Sequence, residues 1–109
     1  FKNLMSQKIV FMGTPEFSVP TLKSLVNSNH EILAVYSQPA SKANRGQKII
    51  LSSVEAFAKG KSLRIRTPFN LDTDEEYNFF KKLNPDIVIV IAYGKIIPKR
   101  FLSLSKNDV

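Results

Sequence analysis

Three short segments hold the side chains and turn residues that could bind a ligand or do chemistry, and each follows an apolar run. They are residues 13–17, residues 38–48 and residues 93–98. In open α/β sheets, ligands bind at the carboxyl ends of parallel strands, close to the point where the strand order reverses. If the three apolar runs are parallel strands, these segments are the candidate binding loops.

The first segment combines a glycine and a proline with one carboxylate. A dinucleotide site needs three spaced glycines that let a pyrophosphate approach the end of a helix, and this segment has Gly13 alone. Gly13 and Pro15 therefore predict a strand-to-helix turn or a small-ligand loop, and not a nicotinamide site. Glu16 has no partner in the sequence that would make it a base, so it is not assigned a catalytic role.

The second segment is basic and rich in turn residues. Lys42, Arg45 and Lys48 surround Gly46, an arrangement suited to nucleic-acid phosphates, although a solvated linker has the same composition. The whole chain has 16 Lys and Arg against 9 Asp and Glu, a net charge of +7 that also favours a polyanionic partner. RNA binding is one interpretation of this charge, and an ordinary solvated surface is the other.

Other classes of site are not predicted. The chain has no cysteine and a single histidine, His30, which excludes a disulfide framework and a zinc site. His30 follows the first predicted helix, where a histidine interacts favourably with the helix dipole. The longest apolar run, residues 87–92, is far shorter than the about 20 residues of a membrane span, and no signal-peptide pattern opens the chain. We expect a cytoplasmic protein without a metal.

Four strands and four helices have to position the three loops. Apolar, β-branched runs predict strands over residues 8–12, 32–36, 63–65 and 86–92. Ser18, Ser53 and Asp72 are predicted to cap three helices, and Pro98 is predicted to open a fourth. The last run should be a central strand buried on both faces, whereas residues 38–53 match neither period and predict a long loop. The order indicates an α/β, Rossmann-like wound parallel sheet.

The three segments resemble the methionyl-tRNA formyltransferase family, in the same order along the chain. Residues 8–20, KIVFMGTPEFSVP, are similar to the start of that family. Gln38 and Pro39 match its Gln-Pro pair, and Arg45 matches the arginine of the basic patch that follows. Residues 92–98 match its Ala-Tyr-Gly-x-Ile-Leu-Pro segment, with Ile97 in place of leucine.

The chain departs from the family pattern in the second segment. The family usually has an Asp and a second Pro where residues 40–44 stand, and Gln47 replaces a common lysine. The individual tRNA contacts are therefore the least direct part of the resemblance. Lys42, Arg45 and Lys48 are nevertheless the residues that the matching basic patch assigns to the tRNA.

The resemblance implies a formyltransferase fold and a role for each segment. The reaction would transfer a formyl group from 10-formyltetrahydrofolate to the amino group of initiator methionyl-tRNA, without a metal. The folate-binding residues would be Tyr93, Gly94, Lys95, Ile96, Ile97 and Pro98, with the side chains of Tyr93, Ile96 and Ile97 against the pterin. The substrate-positioning residues would be Gly13, Thr14, Pro15, Glu16 and Phe17. The tRNA-binding residues would be Lys42, Arg45, Gly46 and Lys48.

The resemblance also implies that the catalytic side chains lie outside this sequence. The family uses an Asn-x-His pair and a later Asp, which are expected beyond Val109, so no catalytic residue is assigned. Residues 1–7 are assigned to a disordered or upstream leader because the chain begins at Phe1 and Met5 is a candidate start. Residues 8–109 would be the N-terminal part of a formyltransferase domain, truncated before the catalytic strand and inactive alone. The full-length protein, with its C-terminal tRNA-binding domain, would be a monomer.

Two other functions remain open from the residues. A sugar-nucleotide N-formyltransferase would share the fold and the folate pocket, although residues 13–17 and Arg45 favour a tRNA substrate. A noncatalytic RNA-binding α/β domain would fit the charge, but it would not need the third segment, and the basic loop has few aromatic residues for base stacking.

Overall fold

A parallel sheet with helices on both faces forms the centre of the molecule. The structure is a computed structural model that describes residues 6–43 and 48–104. In chain order the elements are β1 (Lys8–Gly13), α1 (Val19–Val26), β2 (Glu31–Tyr36), β3 (Ser41–Ala43), β4 (Lys48–Ile50), α2 (Ser53–Gly60), β5 (Ile65–Arg66), α3 (Asp74–Leu83), β6 (Ile87–Ile91) and α4 (Lys99–Leu102). The main sheet has the order β5-β2-β1-β6, and all its neighbours are parallel. The wound α/β sheet predicted from the sequence is confirmed.

The strand order reverses between β1 and β6. From β1 the chain moves outward to β2 and then to β5, and it returns to the other side of β1 with β6. Ile9 of β1 is consequently paired with Ile32 on one side and with Ile87 on the other. The carboxyl ends of β1 and β6 therefore form the topological switch point, where α/β sheets bind ligands.

Each face of the sheet carries its own apolar core. Consecutive residues of β1 alternate between the two cores, with Val10 and Met12 on the face covered by α3 and α4, and Phe11 on the face covered by α1 and α2. Burial on both sides explains the unbroken apolar sequence of this strand. β1 is the most buried strand, and its loop begins from a rigid support.

β6 differs from the prediction that it would be a central strand buried on both faces. It is an edge strand of the described sheet, where it pairs with β1 alone. Val88 lies in one core and Ile89 packs against the other, but Val90 is 38 % exposed. An apolar, β-branched run indicates that a strand is buried, but it does not indicate how many strands pair with it. The sequence alone therefore predicted a central position for β6.

Residues 38–53 also differ from the prediction of a continuous loop. They contain an antiparallel hairpin in which β3 pairs with β4 and Ser41 lies opposite Ile50. Strands of three residues are too short for an alternating pattern to stand out in the sequence. The exposed side chains of Ile49 and Ile50 lie on this hairpin.

The N-caps of two helices lie one residue away from the predicted capping residues. α2 is capped by Ser52, whose Oγ accepts a hydrogen bond from the Glu55 N–H (2.9 Å), although Ser53 was predicted. α3 is capped by Thr73, and Asp72 was predicted. Both observed caps have extended backbone, which directs the side-chain oxygen at the first turn of the helix. Neighbouring capping residues cannot be ranked from sequence alone.

The β5 strand is also displaced from its predicted position. It was predicted at residues 63–65 and lies at Ile65–Arg66.

Ser18 occupies the predicted position before α1 but does not cap the helix with its side chain. A one-turn 3-10 helix, Glu16–Ser18, leads directly into α1. Ser18 consequently has helical backbone and is fully buried, and its Oγ donates a hydrogen bond to the Ile91 carbonyl at 2.8 Å. The hydroxyl therefore joins α1 to β6.

None of the helices in the described part of the chain is long and apolar enough to span a bilayer.

Two buried tyrosines lie beneath the carboxyl edge of the sheet. Among the described residues, the Tyr93 hydroxyl has no hydrogen-bond partner, and the Tyr36 hydroxyl lies near the Arg66 guanidinium. Glu76, paired with Arg66 at 2.8 Å, is the nearby negative charge. Burial, reinforced by Glu76, raises the pKa of Tyr93 to about 12, and the same causes raise the pKa of Tyr36. Both tyrosines are thus neutral in the folded protein at ordinary pH.

The Tyr93 shift predicts a loss of stability at alkaline pH. The folded state holds the Tyr93 proton more tightly than the unfolded state, whose tyrosine pKa is about 10, so the stabilisation is complete below about pH 10. It is lost as the pH rises toward 12. We expect the free energy of unfolding in urea to fall by about 2 kcal/mol over this range beyond the loss seen for Tyr93→Phe. Identical pH dependence in the two proteins would contradict this assignment.

Candidate functional site

The loops after β1 and β6 are joined at the switch point. The Thr14 hydroxyl donates a hydrogen bond to the Tyr93 carbonyl at 2.7 Å. A Cβ on Gly13 would lie 2.8 Å from the Ile91 carbonyl oxygen and 2.9 Å from the Phe11 ring, so the backbone of β6 approaches here as only glycine permits. Gly13 therefore has a packing role at the site in addition to its place in a turn.

The loop after β2 meets the same carbonyl. The Gln38 side chain donates from Nε2 to the Tyr93 carbonyl at 3.2 Å, and the Gln38 N–H donates to Thr14 Oγ at 3.3 Å. Gly94 has φ +91°, and a Cβ there would overlap the Gln38 amide. All three segments singled out in the sequence thus begin at one junction, formed by Thr14, Gln38 and the main chain of Tyr93.

The base of the hairpin is fixed to this junction. The hydroxyls of Ser37 and Ser52, on either side of the hairpin, lie 2.6 Å apart in a hydrogen bond. The Val54 N–H, in the first turn of α2, donates to the Thr14 carbonyl at 3.3 Å. The β3–β4 hairpin therefore projects from a closed and anchored base.

The Tyr93 ring lies in the core. The family resemblance had implied instead that this ring lies against the pterin. The residue is 2 % exposed and belongs to the core cluster with Phe80 and Phe101. Ala92, the residue before it, has φ 52°, so the backbone adopts a left-handed conformation where β6 ends. The main-chain carbonyl of Tyr93, and not the Tyr93 ring, faces the loops after β1 and β2.

A groove of about 380 Å³ lies beside the loop after β6. Three predicted folate-binding residues, Lys95, Ile96 and Pro98, line one side of it. Ile96 is 90 % exposed, whereas Ile97 packs against the core. Ile97 therefore covers the core, while Ile96 is free to contact a ligand.

The opposite wall of the groove was not predicted from the sequence. It consists of Phe69, Asn70, Leu71 and Asp72, which follow β5. The Lys95 ammonium donates to the Phe69 carbonyl at 3.1 Å, so the two walls are in direct contact. The Phe69 ring is 82 % exposed. A signal was available, because these residues follow a fourth parallel strand and so reach the same edge of the sheet.

The acidic residues at the start of α3 are held in ion pairs. The Arg100 guanidinium donates to Asp72 and to Asp74 at 3.2 Å each and lies over the Tyr77 ring, 4.4 Å from its centroid. Asp74 also lies in the first turn of α3, where a carboxylate interacts favourably with the helix dipole. Both carboxylates therefore have a cation as partner.

The remaining predicted residues lie around the junction or on the hairpin. Pro15 precedes the 3-10 helix, and the side chains of Glu16 and Phe17 are exposed on it. Lys42 lies on β3 opposite Ile49, and Lys48 lies on β4 opposite Ala43. Arg45 and Gly46 are outside the described residues. The structure thus gathers the first and third segments at one edge and places two of the lysines on the hairpin.

His30 lies at the opposite end of the sheet. Its Nδ1 accepts a hydrogen bond from the Gln7 N–H at 2.9 Å, and Ser6 Oγ donates to the neighbouring Asn29 carbonyl at 2.9 Å. These contacts fasten the start of β1 to the turn before β2. Within residues 6–43 and 48–104, no group of three or more His, Cys, Asp or Glu side chains could hold a metal ion.

Comparison with known proteins identifies the family. A family model described as "Formyl transferase" matches residues 7–109. A methionyl-tRNA formyltransferase from Pelagibacter ubique is 53 % identical over 104 residues, which cover 94 % of this chain and 34 % of that protein. Proteins with the same name from Coxiella burnetii and Prochlorococcus marinus (strain MIT 9312) are each 46 % identical, over 91 % of this chain and 32 % and 30 % of their own lengths. The chain spans about a third of the length of these curated relatives. It belongs to the formyl transferase family.

Proposed function

We propose that the protein transfers a formyl group from 10-formyltetrahydrofolate to the amino group of methionyl initiator tRNA. The observation that carries this proposal is the convergence of all three family-like segments on the Thr14, Gln38 and Tyr93 junction at the switch point. The names of the relatives support the choice of acceptor. Translation initiation, the process that uses this product, also supports a cytoplasmic location for the activity.

The groove beside the junction supports a folate donor. Its volume, about 380 Å³, lies in the range of small-molecule sites. Phe69 and Ile96 offer exposed apolar faces to a flat ring, and Lys95 adds a cation that suits a carboxylate. The backbone groups of residues 93–98 would supply hydrogen bonds to the edge of the ring.

The described residues would bind substrates and not carry out the chemical step. Formyl transfer to an amine passes through a tetrahedral carbon, which needs a donor for the developing oxyanion and a base for the attacking nitrogen. Asp72 and Asp74 are paired with Arg100, and Glu76 is paired with Arg66. We therefore propose that residues 1–109 alone have no formyl-transfer activity, and that the Asn-x-His pair and Asp of the family pattern perform the reaction.

A formylation assay tests the proposal directly. The protein expressed from the full reading frame that encodes these residues is incubated with 10-formyltetrahydrofolate and methionyl initiator tRNA, and formylmethionyl-tRNA is measured. We expect turnover from this protein and none from residues 1–109 alone. Turnover with an amino-sugar nucleotide but not with the tRNA would replace our proposal by the sugar-nucleotide alternative. Absence of turnover with either acceptor, from a folded protein, would refute formyl transfer.

The hairpin carries the proposed contact with tRNA, and Arg45→Ala tests it. Loss of one phosphate contact should weaken tRNA binding roughly five- to tenfold and reduce the slope of log affinity against log salt by about 1. The KM for the folate donor should not change. Lys81→Ala, which removes an exposed positive charge from α3, is the matched control. Equal effects of the two variants would indicate a general charge effect and remove Arg45 from the interface.

A further inference from the structure

The loop that lines the donor groove has a backbone that needs external support. Ala92 has φ 52° and Gly94 has φ +91°, so two of three consecutive residues adopt left-handed conformations. A left-handed alanine costs about 1 kcal/mol or more, and such residues persist where the surrounding structure holds them. Lys95 and Ile96, which line the groove, follow immediately. The shape of this wall therefore depends on what holds residues 92–94.

Two side chains hold this turn from outside. The Tyr93 carbonyl, between the two left-handed residues, accepts hydrogen bonds from Thr14 Oγ at 2.7 Å and from Gln38 Nε2 at 3.2 Å. The Gln38 amide also fills the space next to Gly94 that a Cβ would occupy. Gln38 thus supports the turn both by a hydrogen bond and by direct packing.

Gln38 is itself held in place. Its N–H donates to the Thr14 hydroxyl at 3.3 Å, so Thr14 bonds both to Gln38 and to the carbonyl that Gln38 supports. The preceding residue, Ser37, is fully buried, and its hydroxyl is bonded to Ser52. A side chain fixed at its base in this way can define the position of its neighbour, since little freedom remains to it.

We propose that Gln38 is a positioning residue of the donor site, which holds residues 92–94 in the turn that places Lys95 and Ile96 on the groove. It acts through the Tyr93 carbonyl and Gly94 and does not contact the donor. The proposal rests on the proposed function for the identity of the ligand, a tetrahydrofolate. In this proposal, the hydrogen bond from the Gln38 N–H to the Thr14 hydroxyl fixes Gln38 in place.

The variants separate the hydrogen bond from the packing. Gln38→Met keeps most of the side-chain volume but removes the donor, and Gln38→Ala removes both. Thr14→Val removes the hydroxyl at nearly constant shape, whereas Thr14→Ser retains it. Asn78→Ala, which removes an exposed amide from α3, is the matched control. All variants are made in the protein expressed from the full reading frame, and thermal unfolding identifies those that remain folded.

Two measurements test the proposal. In steady-state formylation, Gln38→Met and Thr14→Val should raise the KM for 10-formyltetrahydrofolate about tenfold, while kcat and the KM for methionyl-tRNA change less than about threefold. In direct titration, tetrahydrofolate should bind these variants about tenfold more weakly than it binds the wild type. Asn78→Ala should resemble the wild type in both measurements, and Thr14→Ser should recover most of the donor affinity that Thr14→Val loses.

The outcomes distinguish the two proposals. If the wild type neither binds tetrahydrofolate nor formylates tRNA, the proposed function fails. If the wild type does both and Gln38→Met, still folded, binds tetrahydrofolate with unchanged affinity, the positioning role is refuted. A parallel loss for donor and tRNA in Gln38→Met would also refute it, because the residue would then serve the fold in general. Should Gln38→Met fail to fold, the contrast between Thr14→Val and Thr14→Ser decides the question in the same way.

Discussion

Gly13→Ala is expected to lower the free energy of unfolding by about 2–4 kcal/mol, although it adds a single methyl group. The new Cβ would lie 2.8 Å from the Ile91 carbonyl oxygen, 2.9 Å from the Phe11 ring and 3.2 Å from the Ser18 Cβ. The closest of these atoms belongs to the backbone of β6, which cannot rotate away as a flexible side chain can. The sheet must therefore open where β1 and β6 end.

Gly60→Ala is the matched control for this substitution. Gly60 is the last residue of α2, and a Cβ there would meet nothing within 4 Å. Alanine has a higher helix propensity than glycine, so stability should stay the same or rise by about 0.5–1 kcal/mol. Urea unfolding of both variants provides the measurement. Equal stabilities for Gly13→Ala and the wild type would mean that the strands are not held at the distance seen here.

Phe80→Ala is expected to cost about 3–5 kcal/mol of stability. Phe80 is 1 % exposed, and its ring centroid lies 5.2 Å from that of Phe101 and 5.8 Å from that of Tyr36. Removing the ring leaves a cavity between α3, α4 and the sheet, and it also removes two aromatic contacts. Because Tyr93 belongs to the same core, the loop above it should lose support as well.

Phe69→Ala makes the same chemical change on the surface. It should leave stability nearly unchanged and weaken ligand binding. Phe69 is 82 % exposed on the wall of the groove, so its loss should change the free energy of unfolding by less than about 0.5 kcal/mol. If the groove holds the folate, tetrahydrofolate affinity should nevertheless fall about fivefold or more. Chemical denaturation and ligand titration measure the two quantities separately. Unchanged affinity in a stable Phe69→Ala protein would remove Phe69 from the donor site.

The sequence predicted best those elements whose burial is evident from a run of consecutive apolar residues. β1 and β2 lie within one residue of the predicted bounds because their apolar runs are buried on both faces. The caps of α2 and α3 were displaced by one residue because adjacent side chains can both cap and the backbone angle decides between them. The β3–β4 hairpin was missed because strands of three residues are too short to show an alternating pattern.

The site was predicted at the level of segments and not of contacts. The loops after β1, β2 and β6 could be identified because parallel strands end at one edge of a sheet. The role of Gln38 could not, since its amide reaches a carbonyl 55 residues away in the chain. Phe69 was missed because its segment has no charged or glycine-rich pattern. The Tyr93 side chain was assigned to the ligand wall, whereas the left-handed Ala92 turns it into the core.

The closed base of the hairpin has a consequence for how enzymes of this type can diversify. Because Ser37 and Ser52 are bonded at 2.6 Å, the chain leaves the end of β2 and reaches the start of α2 at nearly the same point. Changes of length or sequence within that excursion need not disturb the strands or the donor groove. If the hairpin contacts the acceptor as proposed, the acceptor can change with the hairpin while the groove at the sheet edge keeps its shape.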